Sequence, residues 1–299
     1  MPNPKLDDSN SRLISQNIEG VLWMLIAMFL LTGMFAIAKH LTNTLPIMEV
    51  ASFRFSMSLL FYLPWLFKSG LGALKTERHF AHFWRSFFGC TSLACGVYAV
   101  HHLLLADAQV LTFTIPLWSI LLAAFVLRER IRLDRTIATI VGFAGVIIVV
   151  QPQGGIELAS AVALLAAILA SFAITTMKHL TKTEPSNRIV FYFLLWGTII
   201  IGIPAAFDWV WPTWEEFLWL LGLGFVGSTG QYCLTRAYAA GDMTLIAPLD
   251  FIRIIIAGFY GYLLFSEIPG MSSFIGAAVI MLACGYIVRK EALLRQNKG

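Results

Sequence analysis

Charge is what this sequence lacks most. Asp, Glu, Lys and Arg together make up 13% of its 299 residues, while 58% are hydrophobic; soluble domains carry about 25% charge. A chain so composed cannot cover itself with a water-facing shell. That excludes a soluble enzyme, a disordered chain and a nucleic-acid module as readings of the whole. Cysteine is sparse as well. Cys90, Cys95, Cys233 and Cys284 all lie in apolar stretches with no CxxC or Cys/His spacing, so no metal centre, redox pair or other cofactor is expected. Paired carboxylates are missing too: no DxxxD-type cluster is present to hold a magnesium diphosphate. Nor is there a ring of filter residues or a pore-lining polar stripe of the kind a channel needs.

What is abundant is apolar sequence of spanning length. After a polar segment, residues 1–17, candidate crossings fall at about 18–39, 47–67, 83–102, 107–127, 134–151, 157–178, 187–207, 214–235, 243–265 and 272–289. At about 20 residues per bilayer crossing, ten use roughly two thirds of the chain. Helices are expected, because in lipid a backbone must satisfy its own hydrogen bonds, and the runs do not alternate as barrel strands would. Ala36-Ile37-Ala38 at the end of the first run has the look of a cleavage site. That run is too long for a signal peptide and its flank is not basic, so it reads as a retained span.

The basic residues orient these crossings. With a cytoplasmic N-terminus, the inside segments hold Lys5, Arg12, Lys68, Lys75, Arg78, Arg85, Arg128, Arg130, Arg132, Arg135, Lys178, Lys182, Arg188, Arg236, Arg289, Lys290, Arg295 and Lys298. Outside there is only Lys39, and Arg54 and Arg253 sit within helices. This asymmetry follows the positive-inside rule and puts both termini, including the tail 290–299, on the cytoplasmic side of an inner membrane.

A repeat runs through the chain. Residues 39–46 read KHLTNTLP and residues 178–185 read KHLTKTEP. Nearby, Phe53 and Phe55 answer Phe191 and Phe193, Pro64 answers Pro204, and Glu129 answers Glu267. The shift carries five helices, an odd number, so the second half enters the bilayer from the opposite side. Inverted repeats around a central site are a transporter plan. The expected fold is therefore an all-α polytopic membrane protein, ten transmembrane helices in two inverted five-helix repeats, 18–151 and 152–289.

PLWSILLAAFVLRERI with GFAGVIIV, and APLDFIRIIIAGFYGYLLFSE with FIGAAVIMLACGYIV, resemble the ends of the two halves of EamA-family proteins in the drug/metabolite transporter superfamily. The resemblance covers nearly everything after residue 17 and implies the same ten-helix inverted plan. It implies a carrier of amino acids, nucleotide-like metabolites such as S-adenosylmethionine, riboflavin or drugs, outward or inward. One departure stands out. Arg128 precedes Glu129 and Ser266 precedes Glu267, where the family usually has glycine before the glutamate.

Charged groups at the bilayer centre cost several kcal/mol, so each is a candidate site. Asp250 and Arg253 are spaced i, i+3 on one helical face. Either they neutralise each other and lock two helices, or Arg253 holds a substrate carboxylate or phosphate by a forked contact while Asp250 orients it. Arg54 either snorkels to the outer headgroups or faces the same cavity, making it electropositive and suited to an anionic or zwitterionic metabolite. Tyr98, Gln231 and Trp118 complete the candidate set as polar groups inside helices that need partners lipid cannot give. Pro116 and Pro248 interrupt helical hydrogen bonding, and Gly222, Gly224, Gly227 and Gly230 mark close helix packing.

Other classes fit less well. Gly227-Ser228-Thr229-Gly230 with His101 or His102 departs from the glycine and serine pattern of intramembrane proteases, and His79-x-x-His82 beside Arg78 reads as a cytoplasmic rim. An exporter of drugs or toxic metabolites is the alternative carrier reading, and a non-transporting receptor the alternative outside it. The partners expected are a small-molecule substrate and the lipid bilayer, with no nucleic acid.

Overall fold

The repeated octapeptide folds the same way twice. In the first copy the Thr42 hydroxyl donates to the Lys39 carbonyl at 3.0 Å, and the Leu45 amide closes on the Leu41 carbonyl at 2.9 Å. In the second, Thr181 donates to the Lys178 carbonyl at 2.9 Å and the Glu184 amide closes on the Leu180 carbonyl at 2.8 Å. Both turns finish the carbonyls left open at a helix end. Each then hands over to a proline, Pro46 or Pro185, just before the next helix starts, where a fixed φ is an asset and a missing N–H costs nothing.

The structure is a computed structural model that describes residues 4–115, 117–118, 133–150, 157–240, 249 and 252–296. Among the described residues there are ten α-helices and no strand: α1 (Pro4–Leu41), α2 (Ile47–Ser69), α3 (His79–His102), α4 (Leu105–Thr112), α5 (Leu133–Val150), α6 (Leu158–Leu180), α7 (Ser186–Ala205), α8 (Trp214–Ala240), α9 (Ile252–Phe265) and α10 (Met271–Gln296). Among the described residues, five segments are long and apolar enough to cross a membrane: Ile18–Leu41, Ile47–Ser69, Leu158–Leu180, Ser186–Ala205 and Trp214–Ala240. The polar segment before residue 18 is helical from Pro4, and the last helix runs on to Gln296.

The fourth run is the other departure. A continuous helix over 107–127 is expected, yet α4 ends at Thr112, where the Phe113 and Thr114 amides tighten to i−3 bonds with Val110 and Leu111. Pro116 follows four residues later, and a proline clashes with the carbonyl of the residue four before it. Pro116 itself, Pro248, Arg128 and Glu129 lie outside the described residues.

Packing is pairwise and regular. α1 lies on α8 and α3 on α6; α2 touches α7 and α8; α3 also touches α7; α5 pairs with α10, and α4 with α9. Close approach has a visible cause between α2 and α8. A methyl placed on Gly224 would stand 2.3 Å from Met57 Cβ, so only glycine lets these helices meet. The gap is narrow enough for Ser58 to donate to the Gly224 carbonyl at 2.7 Å. Gly222 faces open space and has no such role. Phe67, Phe207, Ile255 and Leu282 are exposed on the outside of the bundle, the apolar surface that lipid covers.

Candidate functional site

Eight of the ten helices, all but α5 and α10, send residues to one internal cavity of about 150 Å³, as does Ile115 just beyond α4. Its polar lining comes from Arg54 on α2, Arg85 and Ser92 on α3, Thr112 on α4, Gln231 and Tyr238 on α8 and Arg253 on α9. Alanines 166, 170 and 173 of α6 and the Phe193 ring of α7 form an apolar wall. No carboxylate lines it among the described residues.

Arg54 is 1% exposed and does not snorkel. Its Nη2 donates to the Gly227 carbonyl at 3.3 Å and its Nε points at the Met34 thioether at 3.5 Å. Glycine at 227 leaves room for this, since a methyl there would lie 3.2 Å from both Arg54 Nε and Met34 Sδ. Arg253 Nη2 reaches the Met28 thioether at 3.3 Å. Gln231 is buried against the same space, and its backbone carbonyl is taken by Thr235 at 2.8 Å.

Arg85 is the residue that sequence reasoning placed elsewhere. Counted with the cytoplasmic basic segment, it instead lies six residues into α3, 4% exposed. Its guanidinium carbon stands 3.7 Å over the Phe193 ring, and its Nη2 is 3.7 Å from the Met177 thioether. The Arg54 guanidinium stands 5.3 Å from the centre of that same ring. A signal was present. Arg85, Gly89, Ser92 and Gly96 recur at helical spacing, and all four line the cavity.

The other candidates divide. Arg54, Arg253 and Gln231 are brought together. Tyr98 is not among the described lining residues; its ring lies 4.5 Å from His102, one turn along. Trp118 donates from its indole to the Thr114 hydroxyl at 3.0 Å and packs edge-on against Phe143. Asp250 lies outside the described residues.

Both ends of the bundle are tied across helices. At one end Lys39 Nζ stands 2.5 Å from Glu267 Oε1 and donates to the Leu103 carbonyl at 2.6 Å, while Glu267 Oε2 accepts from the Leu105 amide at 2.8 Å. At the other, Lys178 Nζ donates to the Tyr238 carbonyl at 2.6 Å. There Glu184 accepts from Thr76 and from Arg188, each at 2.7 Å. His82, expected on a cytoplasmic rim, is fully buried against the Tyr192 ring at 4.6 Å and 4.0 Å from Glu184; His79 alone is exposed. Burial acts to raise the Glu184 pKa, but hydrogen bonds from Thr76 and Arg188 and the nearby positive charge outweigh it and hold the carboxyl below its ordinary value.

The chain is similar to known proteins over nearly its whole length. The model of the EamA-like transporter family matches residues 18–151 and again 158–289. A Rickettsia bellii S-adenosylmethionine uptake transporter is 33% identical over 93% of this chain and 96% of its own. A Pseudomonas aeruginosa pseudopaline exporter is 33% identical over 94% and 97%, and a Rhizobium johnstonii riboflavin transporter 30% identical over 95% of each. One solved crystal structure aligns over 95% of this chain and all of its own, with a TM-score of 0.65 at 18% identity, which speaks for the fold alone.

Proposed function

The chain belongs to the EamA-like transporter family, and from that premise we propose that it moves a small zwitterionic or anionic metabolite across a bacterial inner membrane by alternating access, with both termini cytoplasmic. The observation that carries the proposal is the cavity itself, lined from eight helices and bearing Arg54, Arg253 and Gln231. Arg253 holds a charged group of the cargo, Arg54 and Gln231 supply further donors, and Asp250 orients Arg253. Chemistry on the cargo is no part of the proposal: the Ser228 hydroxyl is engaged by the Phe225 carbonyl of its own helix.

Two inverted five-helix halves, 18–151 and 152–289, are the second part of the reading. Exchange α1 with α6, α2 with α7, and so on to α5 with α10, and the packing maps onto itself. The α1–α8 contact becomes α6–α3, α2–α8 becomes α7–α3, and α5–α10 stays as it is. That self-consistency supports a twofold relation in the membrane plane. Lys39 and Lys178 are then corresponding ties at the outer and inner ends, and opening one end while the other stays shut exposes the cavity alternately. At about 150 Å³ the cavity is below the roughly 300–1,000 Å³ of drug-sized ligand sites, so the helices around it must move apart to take a larger cargo.

The relatives' cargoes set the panel for testing: S-adenosylmethionine, amino acids and riboflavin, each as labelled compound. Vesicles containing the full chain are expected to accumulate or release one of them, and Arg253→Ala to abolish that flux while the protein still inserts. Uptake and efflux are both followed, since the relatives include an uptake carrier and an exporter. Flux of no compound, or full flux in Arg253→Ala, overturns the assignment.

A further inference from the structure

The cavity wall has more donors than acceptors. Among the described residues, Arg54 Nη1, Arg85 Nε and Nη1 and Gln231 Nε2 are buried with no hydrogen-bond partner, on residues 1%, 4% and 6% exposed. The acceptors that Arg54 and Arg85 do meet are the Gly227 carbonyl and two thioethers, Met34 and Met177, and thioether sulfur accepts weakly. Leaving a buried donor unsatisfied costs about 1–3 kcal/mol, and more when it is charged. Several such donors converging on one space describe a site that lacks its acceptor.

From this we infer that Arg54 and Arg85, both held against the Phe193 ring, form a two-guanidinium clamp for the carboxylate of an organic acid. The inference rests on reading this cavity as the carrier's binding site, and it names the chemical class of the cargo and a residue, Arg85, outside the proposed set. Each guanidinium presents a planar fork that a carboxylate matches with two parallel bonds. Phe193 fixes the forks, because its face attracts both cations. A free inorganic anion would leave the rest of the space unfilled. The alanines of α6 with Ile174 and Leu234 offer an apolar bed instead, so the ligand carries a carbon skeleton behind its carboxylate. Gly89 seats the clamp: a methyl there would lie 3.0 Å from Arg85 Nη1 and 3.0 Å from the Phe193 ring.

The test is ligand binding by the full chain purified in detergent, read by calorimetry and thermal shift at fixed ionic strength. The probes are glutarate, its neutral diamide and inorganic phosphate. Glutarate is expected to bind saturably and raise the unfolding temperature, with neither the diamide nor phosphate doing so. Arg85→Ala and Arg54→Ala weaken glutarate about tenfold or more, the worth of a charged hydrogen bond. Arg85→Lys keeps the charge but loses the fork, and recovers only part of the affinity. Gly89→Ala displaces the guanidinium without removing it, and weakens binding in a protein whose cavity arginines are all present. Equal binding of glutarate and diamide, binding of phosphate alone, or undiminished glutarate affinity in Arg85→Lys and Gly89→Ala overturns the clamp. Vesicle flux separates this from the carrier reading. Transport of a panel compound without carboxylate preference sinks the clamp alone, whereas arginine-dependent glutarate binding with no flux of any compound sinks the carrier alone.

Discussion

Lys39 and Glu267 form an ion pair between the end of α1 and the segment after α9, with side chains only 13% and 11% exposed. The pair is braced on both sides by the turn between α3 and α4, through the Leu103 carbonyl and the Leu105 amide. Removing one partner of a pair this buried strands the other charge. Glu267→Gln is expected to destabilise the protein by about 3 kcal/mol, and Lys39→Met with Glu267→Gln together by less than Glu267→Gln alone. Thermal unfolding of the two variants in detergent checks the order; equal loss in the single and the double variant would refute the coupling.

The glutamate reaches that position through a strained residue. Ser266 has φ 54, in the left-handed region that a side chain disfavours by about 1–2 kcal/mol and glycine occupies freely. Its amide bonds back to the Tyr262 carbonyl at 3.2 Å, the five-to-one closure of a helix end whose left-handed residue is usually glycine. Here, then, is a physical reason for the glycine that the family favours before this glutamate. Ser266→Gly should raise stability by about 1 kcal/mol, and Ser266→Ala should not. A melting temperature that falls in the glycine variant contradicts this account.

Glu184 gives a pH dependence. Its carboxyl is held below the ordinary value of 4.5, so the network with Thr76, Arg188 and His82 adds stability above about that pH and loses it as pH falls through the lower, folded-state value. Glu184→Gln is expected to be less stable than the parent at pH 7, with the difference shrinking on acidification below pH 4.5. Unfolding measured from pH 7 downward checks the trend, and a difference that grows on acidification would reverse the sign.

Most helices were legible because their residues are apolar for long enough to leave no other option, as in α6 and α7. The repeat was legible because one octapeptide makes one turn. The site was legible only in part. Arg54 and Arg253 announce themselves by lying in the middle of apolar runs. Arg85 hides beside the basic cluster Lys75–Arg78, where a charge looks like part of the loop, and only the spacing to Gly89, Ser92 and Gly96 tells that it turns inward. Tyr98 and Trp118 carry polar atoms that drew attention, but each meets a neighbour four residues away on its own chain, His102 or Thr114. Such local pairing is invisible to an argument from burial alone. The end of α4 at Thr112 goes with the interruption that Pro116 announces, although the hydrophobic run continues unbroken through it.

The sulfur atoms beside Arg54 and Arg85 have a consequence for speed. A carrier whose arginines rested in salt bridges would have to tear a strong pair apart at every arrival and rebuild it at every departure. In the proposed clamp the two cations rest beside thioethers, weak acceptors that an incoming carboxylate displaces without breaking an ion pair. On that reading, loading the cavity breaks no salt bridge, and the barrier to an occupant's arrival is low.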